Sequence, residues 1–218
     1  MNKQGIVIAS GILVVLAFVL GIFFYNKGES NRLSAIAGQD NSVFNRPLSP
    51  TYGPPGAKVR IVEFFDPACE TCKIFYPMVK KLVDAQPGKI QLVIRYAPFH
   101  EGSRDAVAIL EAARMQGVFW PVLEAMLKTQ DIWSANHQVK ADLIWAYLDG
   151  TSLNILKARD DMFSPQVRAR IDEDVADAKT LNVTKTPGFF VNGKPLKDFG
   201  FSQLKALVQE EVDSAYPS

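Results

Sequence analysis

Val59-Arg60-Ile61-Val62-Glu63-Phe64-Phe65-Asp66-Pro67-Ala68-Cys69-Glu70-Thr71-Cys72-Lys73 is the stretch that decides the fold. Val59 to Phe65 is rich in β-branched and aromatic residues and is stopped by Pro67, the pattern of a buried strand. Behind it, Ile74/Phe75, Met78/Val79 and Leu82/Val83 recur every four residues and lay one apolar stripe along a helix facing a sheet. Pro77 falls inside that helix, removes one backbone hydrogen bond and is expected to kink it. The chain's two cysteines, Cys69 and Cys72, thus stand at a strand-to-helix junction. A helix starting at Cys69 aims free N–H groups and its positive dipole end at the first sulfur, favouring the nucleophilic thiolate. Cys72, one turn further in, is then the shielded resolving thiol. The same spacing is also half of a zinc site, so the pair alone leaves redox and metal chemistry open.

Reading outward, Gln86-Pro87-Gly88 ends the helix and Ile90 to Tyr96 forms a second strand, giving a β-α-β unit with a parallel pair. A helical stretch follows. Ser103 is expected to cap a helix ending at Gln116 and stopped by Gly117. Further helical patterns cover Phe119 to Lys128, Lys140 to Leu148, Asn154 to Phe163 and Pro165 to Leu181. Phe189 to Leu196 reads as a hairpin on Asn192-Gly193, and a last amphipathic helix begins near Ser202. Trp120, Trp133 and Trp145 are assigned to the core or groove wall of the helical part.

Toward the N-terminus, Gly5 to Tyr25 is uncharged between Lys3 and Lys27 and is long enough to cross a ~30 Å hydrocarbon layer. Residues 1–26 are therefore expected to be a cytoplasmic tip and uncleaved transmembrane anchor. The competing reading is a signal peptide cut after Ala35-Ile36-Ala37. Residues 27–57, rich in Asn, Ser, Gly and Pro, read as a flexible linker, with a short helix or packed segment between Leu33 and Phe44 as the alternative. A chain starting near Pro55 is accordingly expected to be soluble and active. Residues 58–218 then form one domain. With 24 basic and 23 acidic residues and no basic block, nothing points to a nucleic-acid partner.

The order of strand, Cys-x-x-Cys helix, strand, helical insertion (about 101–181), Thr186-Pro187, Asn-Gly hairpin and terminal helix resembles the DsbA branch of the thioredoxin superfamily. The resemblance covers Ala57 to Val212 and implies an α/β thioredoxin-like fold with a helical insertion, here behind one N-terminal transmembrane helix. It matches Glu63 to the buried acid ahead of the motif, Pro77 to the kink proline, and Thr186-Pro187 to a cis peptide facing the dithiol. The sequence departs from the strongly oxidising members in the dipeptide Glu70-Thr71, which lacks their proline and histidine.

On this reading Cys69 exchanges disulfides through a mixed disulfide that Cys72 resolves. Glu63 passes protons to and from Cys72, unless strand alternation turns it outward. Pro187 in cis exposes a backbone edge at Thr186 for a substrate strand, whereas a trans-proline would merely start a strand. Glu70 opposes thiolate by like charge, or simply complements the helix dipole as a first-turn acid, while Lys73 and the dipole favour thiolate. With Thr71, Thr186 and Glu70 are the substrate-side candidates. His100 and His137 could in principle complete a metal site with the cysteines, the reading from another class, but their spacing does not support it. The expectation is an inner-membrane, single-pass thiol-disulfide oxidoreductase with its catalytic domain in the periplasm and no metal or other cofactor. Its substrates would be cysteine-containing proteins, and a DsbB-like or reducing membrane partner would reset it. Isomerase or reductase action is the alternative within the fold.

Overall fold

The computed structural model describes residues 11–25, 28, 32, 43–44, 46–135 and 138–217. The chain enters a sheet at Thr51–Tyr52 (β1) and passes through Val59–Phe65 (β2), helix Glu70–Asp84 (α1) and Ile90–Tyr96 (β3). The helical insertion comprises Ser103–Met115 (α2), Phe119–Lys128 (α3), Gln130–Trp133 (α4), Ala141–Ile144 (α5), Ile155–Asp161 (α6) and Pro165–Thr180 (α7). Gly188–Val191 (β4), Lys194–Pro195 (β5) and Phe201–Ala215 (α8) close the domain. The sheet order is β1-β3-β2-β4-β5, with β2 and β3 parallel and the other pairs antiparallel.

Strand alternation sorts the core onto the two faces of this sheet. Val59, Ile61 and Phe65 of β2 and Leu92, Ile94 and Tyr96 of β3 pack with Cys72, Phe75 and Val79 of α1 and with the insertion. Val62, Phe64 and Val93 pack on the other face with Ala178, Leu181 and Phe190. Glu63 has the parity of Ile61 and Phe65, which puts it on the face of the dithiol helix. The Asn192-Gly193 turn has positive φ at both residues, 48° and 80°, as a tight hairpin requires.

Several expectations are corrected. Ser103 is the first helical residue rather than the cap. Gly102 occupies the cap position at φ 76°, and the Ser103 hydroxyl donates instead to the Asp66 carboxylate. Ile74 is 61% exposed and lies off the apolar stripe, which runs through Phe75, Val79 and Val83. The Lys140 to Leu148 helix is cut to α5 and a 3₁₀ turn at Trp145–Tyr147. Pro77 lies inside α1, where the sequence places it.

Part of the segment 27–57, expected to be a flexible linker, packs on the domain. Thr51 and Tyr52 pair with Val93 and Leu92, and Val43 and Phe44 are buried in the second core cluster. A buried ion network holds this segment. Arg95, wholly buried on β3, pairs with Asp174 and Asp177 of α7 and donates to the Val43 carbonyl. Arg46 pairs with Asp177 at 2.8 Å, and Arg170 joins Asp174 to the Ser49 hydroxyl. Residues 11–25 are helical, and among the described residues no helix is long and apolar enough to cross a membrane. Residues 5–10 of the expected anchor and the Ala35-Ile36-Ala37 site lie outside the described residues.

Candidate active site

Cys69 caps α1 with an extended backbone, φ −78° and ψ 119°, so its side chain folds back over the first turn. Its sulfur accepts the Cys72 N–H at 3.4 Å and lies 3.3 Å from the Thr186 carbonyl oxygen, to which it donates when protonated. Thr186–Pro187 is a cis peptide, and Gly188 behind it pairs with Phe64 of β2, which fixes the loop against the sheet. Both cysteines are free thiols, Cys69 6% exposed and Cys72 fully buried.

The two sulfurs are driven apart in acidity. Hydrogen bonding from the Cys72 side chain outweighs desolvation at Cys69, and Thr186 with the N–H groups of Cys72 and Thr71 adds to it, bringing its pKa down to about 5. Burial, the bond to Cys69 and the Glu63 charge push the Cys72 thiol well above its usual range. At neutral pH Cys69 is the thiolate and Cys72 holds its proton. Glu63 is buried and neither carboxyl oxygen has a hydrogen-bond partner. Desolvation first, and the Cys69 charge second, raise its pKa to about 8, within reach of proton exchange at neutral pH.

Glu70 is exposed on the first turn, in the place of an acid complementing the dipole. Thr71, Thr186, Pro187, Phe189 and Phe199 line an open groove of about 770 Å³ beside the dithiol. Lys73 does not serve Cys69 as expected, because its ammonium is held by both Asp131 oxygens, at 2.8 and 2.9 Å.

Asp66 and Gln130 escaped the sequence reading. The Asp66 carboxylate is buried and accepts from the N–H groups of Ala68, Phe99 and His100, and it contacts His100 Nδ1 at 2.8 Å. An Asp-Pro step before a helix was the one local signal for it. Gln130 gave no signal, since its partners lie some sixty residues earlier in the chain. His137 lies outside the described residues, and among those described no group of three or more His, Cys, Asp or Glu could hold a metal ion.

A dithiol at a helix start, a cis X-Pro peptide against it and a mixed sheet behind them define a thioredoxin-like protein. The family model described as thioredoxin matches residues 45–210, and the chain belongs to that family. A thioredoxin-like oxidoreductase structure from Silicibacter pomeroyi DSS-3 is 32% identical, with a TM-score of 0.68 over 83% of this chain and 99% of that one. Oxidised BdbD from Bacillus subtilis shares the fold at 23% identity and a TM-score of 0.68, covering 78% of this chain and 95% of that chain. The "Probable disulfide bond formation protein D" of Bacillus anthracis is 23% identical over 95% of this chain and 94% of its own length. A Na(+)/H(+) antiporter NhaA of Herminiimonas arsenicoxydans is 28% identical over 86% of this chain, which spans only 30% of that protein's length.

Proposed function

We propose that this protein exchanges disulfides with cysteine-containing proteins through Cys69 and Cys72. The observation that carries the reading is the placement of Cys69 Sγ, stabilised as thiolate by the start of α1 and lying 3.3 Å from the Thr186 carbonyl beside the open groove. In the oxidising direction a substrate thiolate attacks Cys69 Sγ of the Cys69–Cys72 disulfide, and Cys72 leaves as a thiolate that takes a proton from Glu63. A second substrate thiolate attacks the substrate sulfur of the mixed disulfide and releases Cys69 as thiolate. Two electrons pass from substrate to enzyme. The reverse sequence reduces a substrate, with Glu63 receiving the Cys72 proton. Pro187 and Thr186 present the backbone edge on which an extended substrate lies, and Thr71 and Glu70 border its path.

The lowered pKa of Cys69 stabilises the reduced enzyme, which favours oxidation of substrates coupled to a membrane partner that resets the disulfide. Shuffling or reduction is the second reading, because about 5 lies between the ~7 of thioredoxin and the ~3.5 of DsbA. Work in an extracytoplasmic compartment, with the apolar segment 5–25 holding the domain at the inner membrane, belongs to the same proposal and rests on that segment's composition. Ion antiport is not proposed, since the chain matches only 30% of that relative. Replacing Cys72 with Ser is expected to trap mixed disulfides with protein substrates, resolved on non-reducing gels, and replacing Cys69 to trap few. Equal trapping by both variants would falsify the assignment of Cys69 as nucleophile.

A further inference from the structure

Three consecutive carbonyls lead into the dithiol helix, those of Pro67, Ala68 and Cys69, and each is met by a side chain of the helical insertion. Gln130, 1% exposed, donates through Nε2 to the Pro67 carbonyl at 2.7 Å and to the Cys69 carbonyl at 3.1 Å. Four residues on, the Ser134 hydroxyl donates to the Ala68 carbonyl at 3.3 Å. Asp131, between them, holds Lys73 of α1. The Gln130 amide can point only one way, because turning it over would set its oxygen against two carbonyl oxygens. In that orientation its Oε1 is buried without a partner. Stability alone is a weak reason for such a residue, since its two bonds to carbonyls come with one buried amide oxygen left unsatisfied.

We propose that Gln130 is a positioning residue for the nucleophile. With both amide protons on the Pro67 and Cys69 carbonyls, it fixes the backbone of the cap so that Cys69 Sγ stands over the Cys72 N–H and faces Thr186. The 3.4 Å contact between that N–H and the sulfur depends on the Cys69 backbone and χ1, so a rotation about Cys69 loses it. The insertion thereby acts on the reactivity of the dithiol and not only on the bulk of the domain. This rests on the oxidoreductase reading above.

The test is the rate of Cys69 alkylation by iodoacetamide in the reduced full-length protein from pH 4 to 9, read beside thermal unfolding. Gln130→Met is expected to raise the midpoint of the reactivity profile by about one pH unit, or about tenfold slower alkylation below the midpoint, while unfolding stays cooperative. Ser134→Ala should shift it the same way by less. Ile132→Ala, on the same short helix but 46% exposed, should leave the profile in place. A low wild-type midpoint that Gln130→Met and Ser134→Ala leave unmoved overturns the proposal alone. A wild-type midpoint in the ordinary thiol range overturns the oxidoreductase reading with it. If Gln130→Met does not fold, Gln130→Asn, too short to reach both carbonyls, decides in its place by the same shift or its absence.

Discussion

Glu63 and Cys69 are two titrating groups with opposite effects on stability. Glu63 is raised from ~4.3 in the unfolded chain to about 8, so the folded protein holds its proton across that window. Its contribution is complete below ~4.3 and is lost as pH rises through about 8. Cys69 is lowered from ~8.5 to about 5, so its contribution is complete above ~8.5 and is lost as pH falls through about 5. Only Glu63 remains once the disulfide forms. The oxidised protein is therefore expected to lose stability to urea as pH rises from 5 to 8, and Glu63→Gln to flatten that slope. An unchanged slope in Glu63→Gln would remove the buried carboxyl from the pH dependence. In turnover, the same substitution is expected to slow resolution of the mixed disulfide by Cys72 roughly 10²-fold, the usual worth of a positioned proton acceptor, which stopped-flow fluorescence can follow. Glu63 was legible because it is the strand's one carboxylate, set between Val62 and Phe64. Asp66 and Gln130 were not, because what defines them is the carbonyl and N–H groups of distant loops.

At the scale of the element, the start of α1 sets the chemistry more than the dipeptide between the cysteines does. The groups that lower the Cys69 pKa are the Cys72 side chain, Thr186 and the N–H groups of Cys72 and Thr71. Glu70 is exposed, where solvent screens its charge. Glu70→Ala is accordingly expected to move the reduction potential by less than ~30 mV, measured against glutathione. A larger shift would give the dipeptide charge the leading role instead. The elements read correctly were those with a local signature: β2 by its apolar run, α1 by its four-residue stripe and the hairpin by Asn-Gly. β1 was missed because it is two residues long and exists only by pairing with β3 across some forty residues. Lys73 was misassigned for a similar reason. Sequence places it beside Cys69, whereas its charge is turned to Asp131 of the insertion.

Over the whole molecule, the segment before β1 is part of the folded domain. A chain starting near Pro55 would lose the burial of Val43 and Phe44, the β1 pairing and Arg46, and would leave Arg95 short of its Val43 partner. It is expected to be less stable to urea than one starting at Val43. Asp174→Ala, which takes from the buried Arg95 one of its two carboxylates and from Arg170 its buried partner, should cost about 3–5 kcal/mol in urea unfolding; a cost under ~1 kcal/mol would show that the network is not what holds the segment. The network was illegible because its members, Arg46, Arg95, Arg170, Asp174 and Asp177, read singly as surface charges on strand and helix patterns. The proposed anchor predicts that full-length protein stays with membranes after carbonate extraction while a chain from Val43 does not. The most direct test of the central claim, that Cys69 and Cys72 form a reversible couple poised by a stabilised Cys69 thiolate, is their equilibrium with glutathione. The expected result is a single two-electron transition between ~−270 mV, the thioredoxin value, and ~−120 mV, that of DsbA. No reversible interconversion, or a potential outside that interval, would contradict it.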